Sequence, residues 1–445
     1  MVSRIISRVV VIVVACAVVL GGAAVAASAT GLLSPAPTGS ADPNAYALPA
    51  PQPVSPAPGL SAASTSPVPD GTQVQQQLSA LNSTGVGTIS YCVTDLTGAV
   101  VAASDAQTGR IPASSWKLTT MLAVLTEYNS DQRFNTTVVS SPTGIVLVGG
   151  GDPLLTAKTP VVPGQATLQN LATQVAQALK ANNQDNVTLG YDDSLFAGPQ
   201  WNPAWPASDV GNIAPVSPLA ADAYGGPDAN ISAKTAATFK TLLAALGITV
   251  TSVQAEKADS GAAVLGTVAS PPLGQLVQYI VNVSDNYGAE VLLRHVSLGA
   301  GGDGSITSAE ATLTSFLQSH QLWDPQMVAS DGSGMSMADL VTPEVLAGIV
   351  RMAYGDPRYS DILAGMPVAG VDGTLYDRFN DPSEASGRGV LHAKTGTQTQ
   401  VRTLTGYVQT NSGGVLAFSF MLNNITTDSA ALNWLDQAGA VLASS

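Results

Sequence analysis

Strand-forming sequence lies at both ends of the folded part of this chain, with a long helical block between. Near its start, "GTISYCVTD" and "AVVAASD" are joined by "LTG" and read as a hairpin. Near its end, "LHAKTGT", "VRTLTGYVQT" and "GVLAFSFMLNN" read as successive antiparallel strands, and "DSAALNWLDQAGAVL" follows as a helix. The block between them contains two apolar helices, "PLGQLVQYIVNV" and "YGAEVLLRHVSL", separated only by "SDN". Such a chain can bury its strands in one sheet only if the two ends meet, with helices covering the faces. The expected class is therefore α/β (α+β), an antiparallel sheet flanked by helices.

A second texture interrupts this pattern between about 143 and 267. "TGIVLVGGGDPLL", "NVTLGYDDSLF" and "GITVTSVQAEK" read as strands alternating with the helices "TLQNLATQVAQALKANN" and "SAKTAATFKTLLAAL", which predicts an inserted α/β domain. The catalytic part is then expected over 73–142 plus 268–445. Residues 30–72 are rich in Pro, Ala and Ser and read as an extended tether. Ahead of them, Arg4 and Arg8 precede the apolar run Val9 to Ala27 and the small-residue site Ala27-Ser28-Ala29. That is the pattern of a secretory signal over residues 1–29, cleaved after Ala29, with an uncleaved membrane anchor as the alternative. Either reading puts the body of the protein outside the cytoplasm. With Cys16 in the leader, Cys92 would be left as a single thiol, read here as a small buried apolar residue. A formal net charge of -14 argues against nucleic acid as a partner.

The chemistry-bearing residues are few. Three histidines, with no His pair beside a glutamate and no Cys/His cluster, give no support to a metal site, and no cofactor is expected. No serine sits in G-x-S-x-G, and the Gly149-Gly150-Gly151-Asp152-Pro153 turn lacks the Lys-Ser/Thr of a phosphate loop. Three short stretches remain. In "IPASSWKLTTMLAV", Ser114 and Lys117 share a face at i, i+3, at the start of a helix. Lys117 is either a snorkelling surface cation or a base held against a nucleophile. Ser284-Asp285-Asn286 fills the break between two helices, where all three residue types also serve as caps. Lys394-Thr395-Gly396-Thr397 lies on a strand, either as an exposed end or as a functional edge.

Taken together, Ser-x-x-Lys, Ser-Asp-Asn and Lys-Thr-Gly, in this order and in these elements, resemble the signature of the serine penicillin-recognising enzymes. The likeness runs from roughly residue 73 to 445. Because 170 positions separate Ser114 from Ser284, the sequence is most similar to the class C low-molecular-mass penicillin-binding proteins, the D-alanyl-D-alanine carboxypeptidase/endopeptidase family. "GGGDPLL", "YDDSLF", "SDGSGMS" and "PVAGVDGTL" look like stretches of that family. Two features depart from it: the insert is shorter than is typical, and Asp285 stands where the family often has Asn.

The resemblance implies a penicillin-binding-protein/serine β-lactamase-like transpeptidase fold and a serine D,D-peptidase acting on peptidoglycan stem peptides, with β-lactams as covalent inhibitors. It further implies that Ser114 is the nucleophile and Lys117 its base. Ser284 would relay a proton to the leaving amine, Lys394 would keep the local field positive, and Asn286 would orient Lys117 and the substrate amide. Thr395 and Thr397 would bind the terminal carboxylate, with the backbone N–H groups of Ser114 and Thr397 as oxyanion hole, and Gly396 would keep the strand clear of side chain where substrate adds. A β-lactamase and a catalytically idle scaffold are the alternatives. The first would need a deacylating glutamate, and Glu310, the nearest candidate, reads as the end of a Thr307-x-x-Glu310 capping box.

Overall fold

The computed structural model describes residues 67–445 apart from 207, 208 and 224. The expected leader, and the tether up to residue 66, lie outside the described residues. The chain enters through helix α1 (Gly71–Ser79), whose first turn is capped by Asp70 accepting from the Thr72 N–H at 2.9 Å. Strands β1 (Thr88–Asp95) and β2 (Val100–Ser104) form the expected hairpin, and helix α2 (Lys117–Glu127) follows. Next come β3 (Asn135–Ser141), β4 (Gly144–Val148), α3 (Leu168–Ala181), β5 (Asn186–Asp192), α4 (Ile231–Ala245), β6 (Thr249–Ala255) and β7 (Val264–Ala269). A helical run succeeds them: α5 (Leu273–Val283), α6 (Asn286–Gly299), α7 (Ile306–Ser319), α8 (Pro343–Gly355) and α9 (Ser360–Gly365). The chain closes with β8 (Leu391–Gln398), β9 (Val401–Gln409), β10 (Val415–Asn423) and α10 (Asp428–Ser444).

The two ends meet as the strand pattern requires. β1 pairs antiparallel with β10, from Thr88 opposite Asn423 to Asp95 opposite Leu416, in a sheet of order β2-β1-β10-β9-β8. β10 lies at its centre and is buried on both faces, so side-chain alternation divides it between two cores. Leu416, Phe418, Phe420 and Leu422 pack with Val74, Leu78, Trp434 and Leu435 from α1 and α10. Ala417 and Met421 pack on the other side with Met121, Leu122, Ile349 and Val350 from α2 and α8. Cys92 is buried in β1, and burial pushes its thiol up to about 11, which keeps it a thiol at neutral pH.

The second sheet has the order β6-β5-β4-β3-β7. β4, β5 and β6 are parallel, and their crossover helices α3 and α4 supply Leu171, Val175, Phe239 and Leu243 to a third core. β3 and β7 are antiparallel additions. β3 lies ahead of the expected boundary at 143, yet it pairs only within this second sheet. Another expectation fails locally. Ser305, not Thr307, caps α7, accepting from the Ser308 N–H at 3.2 Å, and Glu310 lies inside the helix. Among the described residues no helix is long and apolar enough to cross a membrane.

Candidate active site

The turn that carries Ser114 precedes the helix rather than beginning it. Ala113–Trp116 form a 3-10 turn, and α2 starts at Lys117. Ala113 has φ 48°, a left-handed conformation costing about 1–2 kcal/mol for a residue with a Cβ. Surrounding contacts hold it there. The Thr403 hydroxyl donates to the Pro112 carbonyl at 2.9 Å and lies 2.8 Å from Ser115 Oγ, while buried Trp116 donates Nε1–H to the Asp331 carbonyl at 2.7 Å. Lys117 is fully buried, and its Nζ lies 2.8 Å from Ser114 Oγ, 2.7 Å from Asn286 Oδ1 and 2.7 Å from the Ser333 carbonyl. The snorkelling alternative is thereby removed.

This trio of partners has a chemical consequence. A neutral amine has two N–H bonds and one lone pair. Asn286 Oδ1 and the Ser333 carbonyl can only accept, so they take both N–H bonds and leave the lone pair facing the Ser114 hydroxyl. The Asn286 amide is itself oriented by its Nδ2, which donates to the Asn212 carbonyl at 3.1 Å.

Helices α5 and α6 bring the second stretch to the same place. Ser284 adopts φ 61° as the C-cap of α5, and Asp285 is the N-cap of α6, so chain reversal and site presentation share three residues. Ser284 Oγ accepts from Lys394 Nζ at 2.8 Å, and Lys394 also donates to the Thr395 carbonyl at 2.8 Å. β8, which carries Lys394, is an edge strand. Ala369 N donates to the Leu391 carbonyl and Ala393 N to the Pro367 carbonyl, both at 2.9 Å, which covers only its first half. By the alternation of an antiparallel ladder, the backbone groups of Thr395 and Thr397 face outward along the remaining edge. A Cβ on Gly396 would lie 2.0 Å from Thr403 Oγ1 and 2.8 Å from the Pro112 carbonyl. The glycine therefore lets β8 close against the nucleophile turn, a different reason from the substrate clearance expected above. A cavity of about 270 Å³ is lined by Ser114, Ser284, Thr374, Arg378, Thr395 and Thr397. A larger one, about 630 Å³ beside Leu96, His320 and Arg351, holds no nucleophile–base pair.

A model of the D-Ala-D-Ala carboxypeptidase 3 (S13) family matches residues 73–230 and 226–445. The chain belongs to this family. A carboxypeptidase of Mycobacterium tuberculosis is 32% identical over 330 residues, covering 70% of this chain and 71% of the relative. The carboxypeptidase DacB of Mycolicibacterium smegmatis is 31% identical over 397 residues, covering 84% and 85%. Penicillin binding protein 4 of Haemophilus influenzae superposes with a TM-score of 0.70 at 18% identity, covering 83% of this chain and 98% of that one, which shows the shared fold.

In this S13 chain, burial lowers Lys117 to about 8 against the opposing pull of Asp331, Asp285 and Glu290. Burial and, after it, Lys117 hold Lys394 well below the usual lysine range. Burial is thus the largest influence lowering both lysines. Asp285 is half-buried, and desolvation pushes its carboxyl up.

Several participants had no sequence signal. The Ser333 carbonyl is a backbone atom, although its stretch "SDGSGMS" is among those that look like the family. Thr374, which accepts from Thr395 Oγ1 at 2.7 Å, sits within "PVAGVDGTL", a stretch with no residue pattern that marks a site. Arg378 grips Asp436 of α10 with Nε and Nη2 at 2.8 and 2.6 Å, a pairing across 58 positions that no local pattern announces. Trp201 and Trp205 pack edge to face beside Val291 and Met335, and Glu310 lies in a separate cavity with Asn202 and Ser330. His392 stacks on Tyr407, with ring centroids 4.8 Å apart, as a packed histidine.

Proposed function

We propose that this chain is a serine D,D-peptidase that removes the terminal D-alanine of peptidoglycan stem peptides and is acylated by penicillin. The observation that carries this reading is buried Lys117 Nζ, 2.8 Å from Ser114 Oγ and 2.7 Å from two acceptors, which would take both N–H bonds of its amine form and leave the lone pair for Ser114. Ser114 Oγ attacks the carbonyl carbon of the penultimate D-alanine as its proton passes to Lys117 Nζ. The C–N bond then breaks, and the leaving nitrogen takes a proton relayed through Ser284 Oγ, which Lys394 holds in place. Water hydrolyses the Ser114 ester, releasing the shortened peptide and restoring the hydroxyl. The N–H groups of Ser114 and Thr397 stabilise the oxyanion, and the hydroxyls of Thr395 and Thr397 take the terminal carboxylate. The open half of the β8 edge suits a substrate bound as an added strand.

The same reading includes an inserted domain built around the second sheet and an extracytoplasmic location. Delivery is by the N-terminal segment, removed as a signal or kept as a membrane anchor. Fluorescent penicillin tests the nucleophile. Stable label on the wild type, absent from folded Ser114→Ala, is expected. Rapid turnover of the label would indicate a β-lactamase, and no label on folded wild type an idle scaffold. Digestion of muropeptides with mass analysis then separates released D-alanine from cut cross-links.

A further inference from the structure

Glu290 lies on α6 one turn beyond Asn286 and is fully buried, yet it has no part in the mechanism above. A single oxygen of its carboxyl, Oε1, accepts from the Gly332 N–H at 2.9 Å and the Ser333 N–H at 2.8 Å. Those two residues belong to the 330–336 loop, whose Ser333 carbonyl takes an N–H of Lys117. The loop's own shape comes from within. Asp331 Oδ1 accepts from the Gly334 N–H at 2.7 Å and Oδ2 from the Ser336 N–H at 2.7 Å, which turns the 333–334 peptide plane. A carboxylate inside the loop cannot, however, place the loop against the helices. From the α2 side, Trp116 and Thr120 donate to the carbonyls of Asp331 and Gly332, each at 2.7 Å. Among the described residues, Glu290 is the acceptor outside the loop that holds the Gly332 and Ser333 N–H groups.

We infer that Glu290 is a positioning residue for the base: it docks the 330–336 loop on α6 so that the Ser333 carbonyl reaches Lys117 in register with Asn286. Both acceptors that aim the lysine lone pair are then fixed by one helix, Asn286 directly and Ser333 through Glu290. What this role requires is an accepting oxygen at the Oε1 position, not a charge. Glu290 is crowded by Asp331, with Asp339 behind it and Arg294 on its own helix, and burial first and Asp331 next push its carboxyl up to about 8. A neutral acceptor is therefore compatible with the site.

The inference rests on Ser114 acylation as proposed above, and the test keeps the two apart. Glu290→Gln retains the oxygen at the same reach, whereas Glu290→Asp retains the carboxyl but withdraws the oxygen by one methylene. With fluorescent penicillin and the full-length protein, Glu290→Gln is expected to acylate within about threefold of wild type. Glu290→Asp is expected to lose about 10- to 100-fold in the acylation rate constant, up to the roughly 100-fold that misplacing a catalytic group by about 1 Å can cost. Noncovalent affinity should be unchanged in both, because Thr395 and Thr397 are untouched. Wild-type rates in Glu290→Asp, or an equal loss in Glu290→Gln, would overturn the assignment. If the wild type takes no label, the peptidase reading fails and the crystal structure of Glu290→Asp decides the inference. A Lys117 Nζ to Ser333 carbonyl contact still at 2.7 Å there would refute it, and a lengthened contact would support it.

Discussion

Lys117 shows how one residue can be apt for a task only because its surroundings oppose its ordinary state. Its ammonium form would have three N–H bonds for Ser114, Asn286 and Ser333, and its amine form has two plus the lone pair that catalysis needs. Burial decides between them, bringing the group to about 8. In the proposed mechanism the active form is the deprotonated one, so the acylation rate constant should rise with pH through about 8 and level off above it. Linkage gives the same sign for stability. Between about 8 and the ordinary value of 10.5, the unfolded chain holds a proton that the folded chain has released, so folding gains as pH rises across that window. Acylation rates measured from pH 6 to 10 check the first statement, and a flat profile would remove Lys117 as the base. Lys117→Arg keeps a cation that stays charged throughout the range, and is expected to lose about 10² to 10⁴ in rate.

Within single elements, β8 and the turn it touches are the tightest part of the site. In Gly396→Ala, the new methyl would meet Thr403 Oγ1 at 2.0 Å and the Pro112 carbonyl at 2.8 Å. Thr403 cannot simply rotate away, because its hydroxyl is engaged with both Pro112 and Ser115. The strand and the nucleophile turn must therefore separate, with a stability cost of about 1–3 kcal/mol from overpacking and a larger proportional loss in acylation. Thermal melts alongside penicillin labelling measure the two, and unchanged labelling would mean that the turn tolerates displacement. The same elements show what a sequence makes legible. The five strands of the first sheet and the "SDN" break were readable because apolar alternation and cap residues are local signals. β3, "NTTVVSS", was not, since its threonines and serines blur the alternation that marks a strand. The 3-10 turn before α2 was hidden because a 3-10 turn and the first turn of an α-helix have similar backbone dihedrals and accept the same residue types. The Ser333 carbonyl and the Arg378–Asp436 pair were beyond reach for another reason: backbone acceptors and long-range pairings leave no trace in residue order.

For the molecule as a whole, the question is how the part around the second sheet bears on a site formed by the first. Residues 197–206 and 209–217, which lead into α4, contact the helix that carries Asn286. The Arg294 side chain donates to the carbonyls of Ala197 and Pro199, Tyr287 donates to the Ser217 carbonyl, and Asn212 supplies the carbonyl that orients Asn286. Trp205 adds both packing and a hydrogen bond. Its ring is buried beside Val291 and Met335, and its Nε1–H donates to Asp331 Oδ2 at 3.2 Å, the same carboxylate that shapes the 330–336 loop. Removing that ring in Trp205→Ala should cost about 3–5 kcal/mol through the cavity left behind. If the segment serves only to stabilise the fold, acylation per folded molecule would be unchanged at temperatures below the shifted melt. The shared carboxylate argues otherwise. Loss of the indole N–H frees one side of Asp331, loosens the loop that presents the Ser333 carbonyl, and lowers the acylation rate constant even where the variant is fully folded. Trp205→Phe distinguishes the two effects, since it refills most of the cavity but cannot donate. It is expected to recover most of the melting temperature and little of the rate, and recovery of both together would reduce Trp205 to packing alone.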